Sequence, residues 1–471
     1  MIQQIRTMTS SYLKILITGL AFLSLQSCFV ARTYEQPEVV REEYYRTDAF
    51  PQDSLNMAEV SWRNMFNDPQ LQQYIEEGLE QNIDIRVAIQ QVLVAEAYVK
   101  QGKAGYLPTL NAKGQYTHQE LSANSQFGGL FSSVDQYELS GNLSWEADIW
   151  GKIRSQKRAF EASYLQSVAA HQAVKTRLVA DIASTYYQLL SLDEQIQITE
   201  ETIETRENSL ETTRALKEAG NLTEVGVKQT EAQLYNAQGI LIDLKNQRKI
   251  LENAFSILLG QSPDAINRNS LDEQKITTDL QIGVPAQLLR NRPDVIAAEY
   301  DLVNAFELTN VAKSNFYPSL TLTATGGLQA LNASDLLDTN SLFATLVGGL
   351  AQPVLNGRRI RTQFEVSEAQ QEQARLNFRK AILNASKEVS DALYSYEAAT
   401  DKISVKNKEF EAYDLATSYS EELLNNGLAN YLEVLTARQN ALNARLSLTT
   451  ARYNQLKAVV DLYEALGGGW K

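Results

Sequence analysis

The chain has 471 residues, a formal net charge of −14 and 44% hydrophobic residues. That length suggests two or three domains, and the apolar content is enough for a folded core and too high for disorder. The acidic balance argues against nucleic acid as a partner, because phosphate binding needs clustered Lys and Arg.

The first element is a targeting segment. Arg6 and Lys14 supply positive charge, and Ile15 to Leu25 is an apolar core of signal-peptide length. Beyond it, no apolar run reaches the roughly 18 to 20 residues of a membrane-spanning helix. The segment ends Leu25-Gln26-Ser27-Cys28, which resembles a bacterial lipobox with Gln in an unusual place. Residues 1–27 then read as a lipoprotein signal peptide and 28–61 as an anchor segment. Cys28 is the only cysteine, so it forms no internal disulfide and stands where a lipid would be attached. Phe29 follows it rather than Asp, which by analogy with enterobacterial sorting points to the outer membrane.

The rest of the chain is two copies of one plan, about 207 residues apart. Leu189, Ile196, Ile203 and Leu210 correspond to Tyr396, Ile403, Phe410 and Thr417, and Gly220 corresponds to Gly427. Leu107-Pro108-Thr109-Leu110 matches Tyr317-Pro318-Ser319-Leu320, and Trp150-Gly151-Lys152 matches Asn356-Gly357-Arg358. The two repeats span 62–270 and 271–471. Each reads helix, hairpin, very long helix, turn, helix.

In chain order, Asn82 to Gly105 is Ala-, Val- and Gln-rich without proline and predicts a helix that Pro108 stops. A β-hairpin follows over about 110–147, where Leu139, Leu143 and Trp145 alternate with polar residues. The long helix, about 152–219, contains no proline or glycine. Nearly 70 residues at 1.5 Å each span roughly 100 Å. A helix over about 224–259 closes the first repeat. The second repeat predicts a helix over about 293–315, a hairpin over about 319–354, a long helix over about 358–425, a helix over about 429–466 and a tail. The two shorter helices of each repeat together come close to the long one in length, so they are expected to stack end to end beside it. Val227, Leu234 and Leu241 stand seven apart, as do Ala237, Leu244, Leu251 and Leu258, and Leu428, Leu435 and Leu442. Such heptads keep an apolar seam against a neighbouring helix.

Strands of about ten residues are long enough to cross a bilayer with tilt. In lipid every strand edge must be paired, so only closed barrels span. One chain offers four such strands, and the smallest spanning barrels use about eight. If the hairpins enter a membrane, the chain must oligomerise. Three copies give 12 strands and two give eight, so this geometry does not fix the number.

Several segments in order carry a resemblance. They are Trp62 to Asp68, Trp145 to Arg154, Leu288-Leu289-Arg290-Asn291-Arg292-Pro293-Asp294, Phe316 to Leu322, Gln352 to Arg359 and Leu462 to Trp470. Together they resemble the TolC-like outer-membrane factors, the lipoprotein (OprM/NodT-type) branch serving resistance-nodulation-division efflux pumps. The resemblance implies a mainly α fold with β: a long antiparallel coiled-coil α-barrel and four transmembrane β-strands per chain, closing as a trimeric 12-stranded barrel. It implies a belt around the helices from Phe50 to about Leu71, Ser262 to Pro285 and the C-terminus. It also implies a lipid-anchored location in the outer membrane, a periplasmic adaptor protein and an inner-membrane pump as partners, and a passive exit for small molecules. A type I protein-secretion duct of the same architecture and a periplasmic coiled-coil scaffold without a pore are the rival readings.

The turns Gly220-Asn221-Leu222 and Gly427-Leu428 fit the adaptor-contacting tips of that family, and glycine there permits the positive φ that ends a helix. Leu432, Glu433 and Thr436 fit the segment that closes its periplasmic aperture, with Leu432 at the position of a constricting apolar ring. Relatives often carry Asp where Thr436 stands and Arg where Gln439 stands. The charged lock of that pattern is therefore missing, and Glu433, Arg438 and Glu224 are the available substitutes. His118 and His171 lie in different elements, and Met57 and Met65 are the only methionines beyond the leader, so no metal or cofactor site is expected. No carboxylate pair suggests catalysis, and an enzyme is not expected. Tyr116, Phe127, Phe131, Tyr137, Trp145 and Phe343 stand near the strand ends, where an aromatic belt would form.

Overall fold

The computed structural model describes residues 31–37, 60–124, 130, 132–274 and 291–470. Cys28, the leader, Phe127, Phe131 and Leu288 to Arg290 lie outside them, as do 50–59 and 275–285 of the expected belt.

The elements follow in the order α1 Trp62–Met65, α2 Pro69–Gln81, α3 Ile83–Ala104, β1 Thr109–Glu120, β2 Ser133–Ala147, α4 Lys152–Glu218 and α5 Glu224–Leu258. The second half contributes α6 Pro293–Ser314, β3 Ser319–Ala330, β4 Leu342–Ala351, α7 Arg359–Asn425 and α8 Tyr431–Ala465. Expected and observed bounds differ by a few residues, each for a local reason. The second hairpin stops at Ala351 because Pro353, two residues on, cannot donate to a ladder. Arg358 lies outside α7 with φ +67°, in the left-handed region. The last helix begins at Tyr431 because Asn430 caps it.

Among the described residues the chain forms two compact units. One contains 31–37, 92–167 and 298–378, and the other 60–91, 168–274, 291–297 and 379–470. Neither unit follows a single repeat; each draws on both.

The first unit holds the sheet, in the order β1-β2-β3-β4, all antiparallel. Against its helical segments, the Tyr98 and Phe160 rings stack at 5.6 Å, and Phe316 meets Phe364 edge-on at 5.6 Å. Residues 31–37 dock on α6: Arg32 N–H donates to Asn310 Oδ1 at 3.3 Å, and Asn310 Nδ2 returns a bond to Arg32 O at 3.1 Å.

The second unit holds the main core, built on Leu71, Ile75, Tyr186, Phe255, Leu259, Leu462 and Tyr463. Asp68 organises one side of it. Its carboxylate caps α2 through Gln70 N–H at 2.8 Å and accepts from Tyr186 Oη at 2.9 Å and Asn269 Nδ2 at 2.9 Å. The heptad rows pack as α4 against α5. Leu210 meets Val227 and Leu234 with Ile203 beside them, and Ile196 meets Leu244 with Leu241 and Leu251 beside it. Leu428 departs from its row, because it lies in the turn before α8 and is exposed, while Leu435 and Leu442 are buried.

The short helices meet end to end, and both repeats do it alike. Asn82, just before α3, donates its Nδ2 to Leu258 O at the end of α5, at 2.9 Å. Arg292, just before α6, donates its Nη1 to Ala465 O at the end of α8, at 2.9 Å. One side chain thus satisfies a helix-end carbonyl that has no partner within its own helix.

Candidate functional site: a two-faced sheet and the helix tips

Directly opposed residues in an antiparallel sheet share a face, so the register sorts the side chains. On one face the rows run Leu110–Leu143–Ala324–Leu346, Ala112–Gly141–Gly326–Ala344 and Gly114–Leu139–Leu328–Leu342. On the other they run Thr109–Ser144–Thr323–Val347, Asn111–Asn142–Thr325–Thr345 and Lys113–Ser140–Gly327–Phe343. The first face is apolar across all four strands in these rows, and towards the far ends of β1 and β2 it carries the His118–Asp135 pair at 2.7 Å. The second is largely polar and carries the Lys113–Glu138 ion pair at 3.6 Å. An apolar face this broad costs free energy in water and is stable in hydrocarbon. The strands are 10 to 15 residues long. That is enough to cross the apolar layer with tilt. Among the described residues no helix is long and apolar enough to do so.

The register sorts the aromatics that stand near the strand ends. Tyr116 and Tyr137 oppose each other on the apolar face with ring centroids 4.9 Å apart. Trp145, on the same face, donates its Nε1 to Tyr106 O at 3.0 Å near the base of β1. Phe343 does not belong with them, since its place in the register puts it on the polar face.

The helix tips repeat one geometry. Gly220 has φ +80° and Gly427 φ +72°. Asn221 N–H reaches back to Leu216 O at 2.8 Å, and Leu428 N–H to Leu423 O at 2.8 Å. Both are turns in which a left-handed glycine lets the chain satisfy the last helical carbonyls. Leu222 folds onto the cluster of Leu210, Val227 and Leu234, whereas Leu428, which takes the place of Asn221 on the other tip, is exposed.

At the start of α8 the expected aperture residues are engaged locally. Glu433 N–H donates to Asn430 Oδ1 at 3.1 Å, and Asn430 Nδ2 donates to Glu433 Oε1 at 2.8 Å, a reciprocal cap. Thr436 Oγ1 donates to Leu432 O at 2.8 Å within the helix. Leu432 is exposed and free to meet something outside the chain. Glu224, one of the substitute charges, pairs with Lys217 across its own tip at 2.5 Å.

Near the start of α8, arginines make the charged bonds to other helices. Arg438 Nε donates to Glu421 Oε1 on α7 at 2.8 Å, and its Nη1 reaches Ser209 Oγ on α4. Arg206, which the sequence reading passed over, lies on α4 only 3% exposed. It donates Nη2 to Gln439 Oε1 at 2.9 Å and Nη1 to Gln233 O. Among the described residues it has no carboxylate partner, and its Nε has no acceptor. Burial, and to a lesser degree the nearby Arg438, weakens its hold on its proton. The signal that could have revealed it is a lone Arg at a heptad position beside Leu210 and Ile203.

A cleft of about 600 Å³ in the second unit is lined by Arg177, Arg292, Asp294, Glu388, Asp391, Asp461 and Glu464. Arg292 forks onto Asp294 at 2.7 Å and reaches Glu388 at 2.6 Å. Burial, then the charges of Asp181, Glu388 and Asp461, pushes the Glu464 carboxyl up to about 7. Among the described residues no group of three or more His, Cys, Asp or Glu side chains is placed to hold a metal ion.

A repeated chain with a two-faced four-stranded sheet and coiled-coil hairpins defines an outer-membrane channel subunit. The chain belongs to the outer membrane efflux protein family, whose model matches residues 74–261 and 284–468. That family comprises transport channels, not enzymes, and its place is the outer membrane. Among relatives, the cation efflux system protein CusC of Escherichia coli O6:H1 is 27% identical over 459 residues, covering 95% of this chain and 97% of its own. The solvent efflux pump outer membrane protein SrpC of Pseudomonas putida is 27% identical over 458 residues, covering 96% and 97%. Among solved structures, the outer-membrane channel OprN superposes with a TM-score of 0.86 at 24% identity, covering 94% of this chain and 99% of its own.

Proposed function

We propose that the chain is one of three identical subunits of the exit duct of a tripartite efflux pump. Acylated at Cys28, it is held in the outer membrane, where three four-stranded sheets close one 12-stranded barrel. Small toxic molecules leave through it, delivered by a periplasmic adaptor and an inner-membrane pump of the resistance-nodulation-division type. The duct is passive and needs no catalytic residue, cofactor or metal.

The observation that carries this reading is the sheet: apolar on one face, polar on the other, with the outer edges of β1 and β4 unpaired among the described residues. Such a sheet suits lipid outside and a wet lumen inside, once further strands cover its edges. The tips at Gly220, Asn221, Leu222, Gly427 and Leu428 are assigned to the adaptor, and Leu432, Glu433 and Thr436 to the periplasmic aperture. A ring of three Leu432 side chains constricts by excluding water.

Placing a charge on either face tests this. Leu322→Lys, on the apolar face, should cost about 2 to 4 kcal/mol at mid-depth and sharply lower the trimer recovered from outer membranes. Thr323→Lys, one residue on and on the polar face, should leave recovery near that of the unaltered protein. Equal recovery of the two variants would mean that the apolar face does not meet lipid.

A further inference from the structure

The cleft of the second unit holds one carboxylate that nothing answers. Four of its five acidic residues are paired with cations. Arg292 donates Nε to Asp294 Oδ1 at 3.0 Å and Nη1 to Ala465 O at 2.9 Å, and it reaches Glu388 at 2.6 Å. Its donors are therefore in use. Lys387 holds Asp391, and Lys457 holds Asp461 at 2.6 Å. Arg177, on the cleft wall, turns to Asp181 at 3.6 Å. Glu464 has no ion pair and no side-chain hydrogen bond among the described residues. It stands in the last turn of α8, at the negative end of a helix, where an acid is disfavoured and a cation is favoured.

A second polar group in the cleft also lacks a partner. Thr176, on α4, is 6% exposed, and its Oγ1 makes no hydrogen bond among the described residues. Thr199 and Thr202 of the same helix bond to the carbonyl four residues back, as helical threonines commonly do, and Thr176 does not. The remaining wall includes the apolar side chains of Ala173, Val174, Ala392 and Ala465.

We propose that this cleft binds a small organic cation, a primary ammonium on a short alkyl stem, with the Glu464 carboxylate and Thr176 Oγ1 accepting its N–H groups. An ammonium brings three donors and the charge that the end of α8 lacks. The alkyl stem suits the alanine and valine wall, and about 600 Å³ admits several carbons rather than a bare ion. The site binds the cation only when Glu464 is ionised. Burial and the charges of Asp181, Glu388 and Asp461 push that carboxyl up to about 7, so protons compete with the ligand in the neutral range.

Isothermal titration of the purified full-length protein in detergent with n-butylamine tests the site. At pH 8 the account predicts saturable binding, one ligand per chain. Tetramethylammonium, which has no N–H, and 1-butanol, which has no charge, should bind at least about tenfold more weakly, as loss of a charged hydrogen bond implies. Glu464→Gln should weaken butylammonium binding by about tenfold or more. This variant removes an unpaired, partly buried charge and so should keep the fold. Thr176→Val, of the same shape, should weaken binding several-fold. Lowering the pH from 8 to 6 should weaken binding about tenfold in the unaltered protein and leave the Glu464→Gln variant unchanged. Absence of saturable binding at pH 8 would overturn the proposal. So would equal affinity in Glu464→Gln, or equal binding of tetramethylammonium.

Discussion

Among single residues, Arg206 is the least expected. A buried guanidinium normally faces a carboxylate, because desolvating an unpaired charge is expensive. Here its acceptors are an amide and a backbone carbonyl, with Arg438 nearby. The chain has Thr436 and Gln439 where the family resemblance implies Asp and Arg, which leaves Glu433, Glu224 and Arg438 as candidate substitutes. Glu433 is used in capping and Glu224 at its own tip, while Arg438 joins three helices. At the start of α8 the charged holds are therefore the Arg438–Glu421 ion pair and the Arg206–Gln439 bond, with the Arg445–Glu201 pair further along the helix. Gln439→Glu would give Arg206 the carboxylate it lacks and add about 1.5 kcal/mol to that hold. The fraction of time the channel is open in planar bilayers should fall about tenfold. Arg438→Ala should raise it. Unchanged open times in both variants would show that these contacts do not restrain α8.

At the level of elements, much was legible in the sequence, because the punctuation is strong. Prolines 108 and 318 separate helices from strands, long stretches without Gly or Pro mark α4 and α7, and Gly220 and Gly427 end them. Strand ends were less legible. β1 runs on to Glu120 and β2 starts at Ser133, since Gln, Glu, Ser and Val there carry no apolar alternation and are ordered by pairing alone. The α1–α2 segment was matched only through resemblance; the bonds of Asp68 to Tyr186 and Asn269 come from residues far apart in the chain and have no local signature. Arg206 was hidden for the same reason. The two tips share backbone geometry but differ in surface, with Leu222 folded in and Leu428 exposed. If the second tip meets the adaptor through that leucine, Leu428→Glu should weaken adaptor cross-linking several-fold, as loss of a buried apolar anchor does. Trimer yield should not change, because the Leu428 side chain is largely exposed. Undiminished cross-linking would remove this tip from the interface.

For the molecule as a whole, the repeat is the organising fact. It sets the end-to-end joints at Asn82 and Arg292, the paired glycine turns and the two hairpins of one sheet. It leaves each copy with unpaired strand edges and an apolar face, which only a closed ring of copies in lipid satisfies. The central claim is that this ring is a pore. Reconstituting the purified protein in planar bilayers tests it most directly. The account predicts discrete ion-conducting steps from trimeric protein, small or brief in the unaltered chain and larger or longer after Leu432→Ala. A stable trimer that conducts no ions, even with Leu432→Ala, would contradict it.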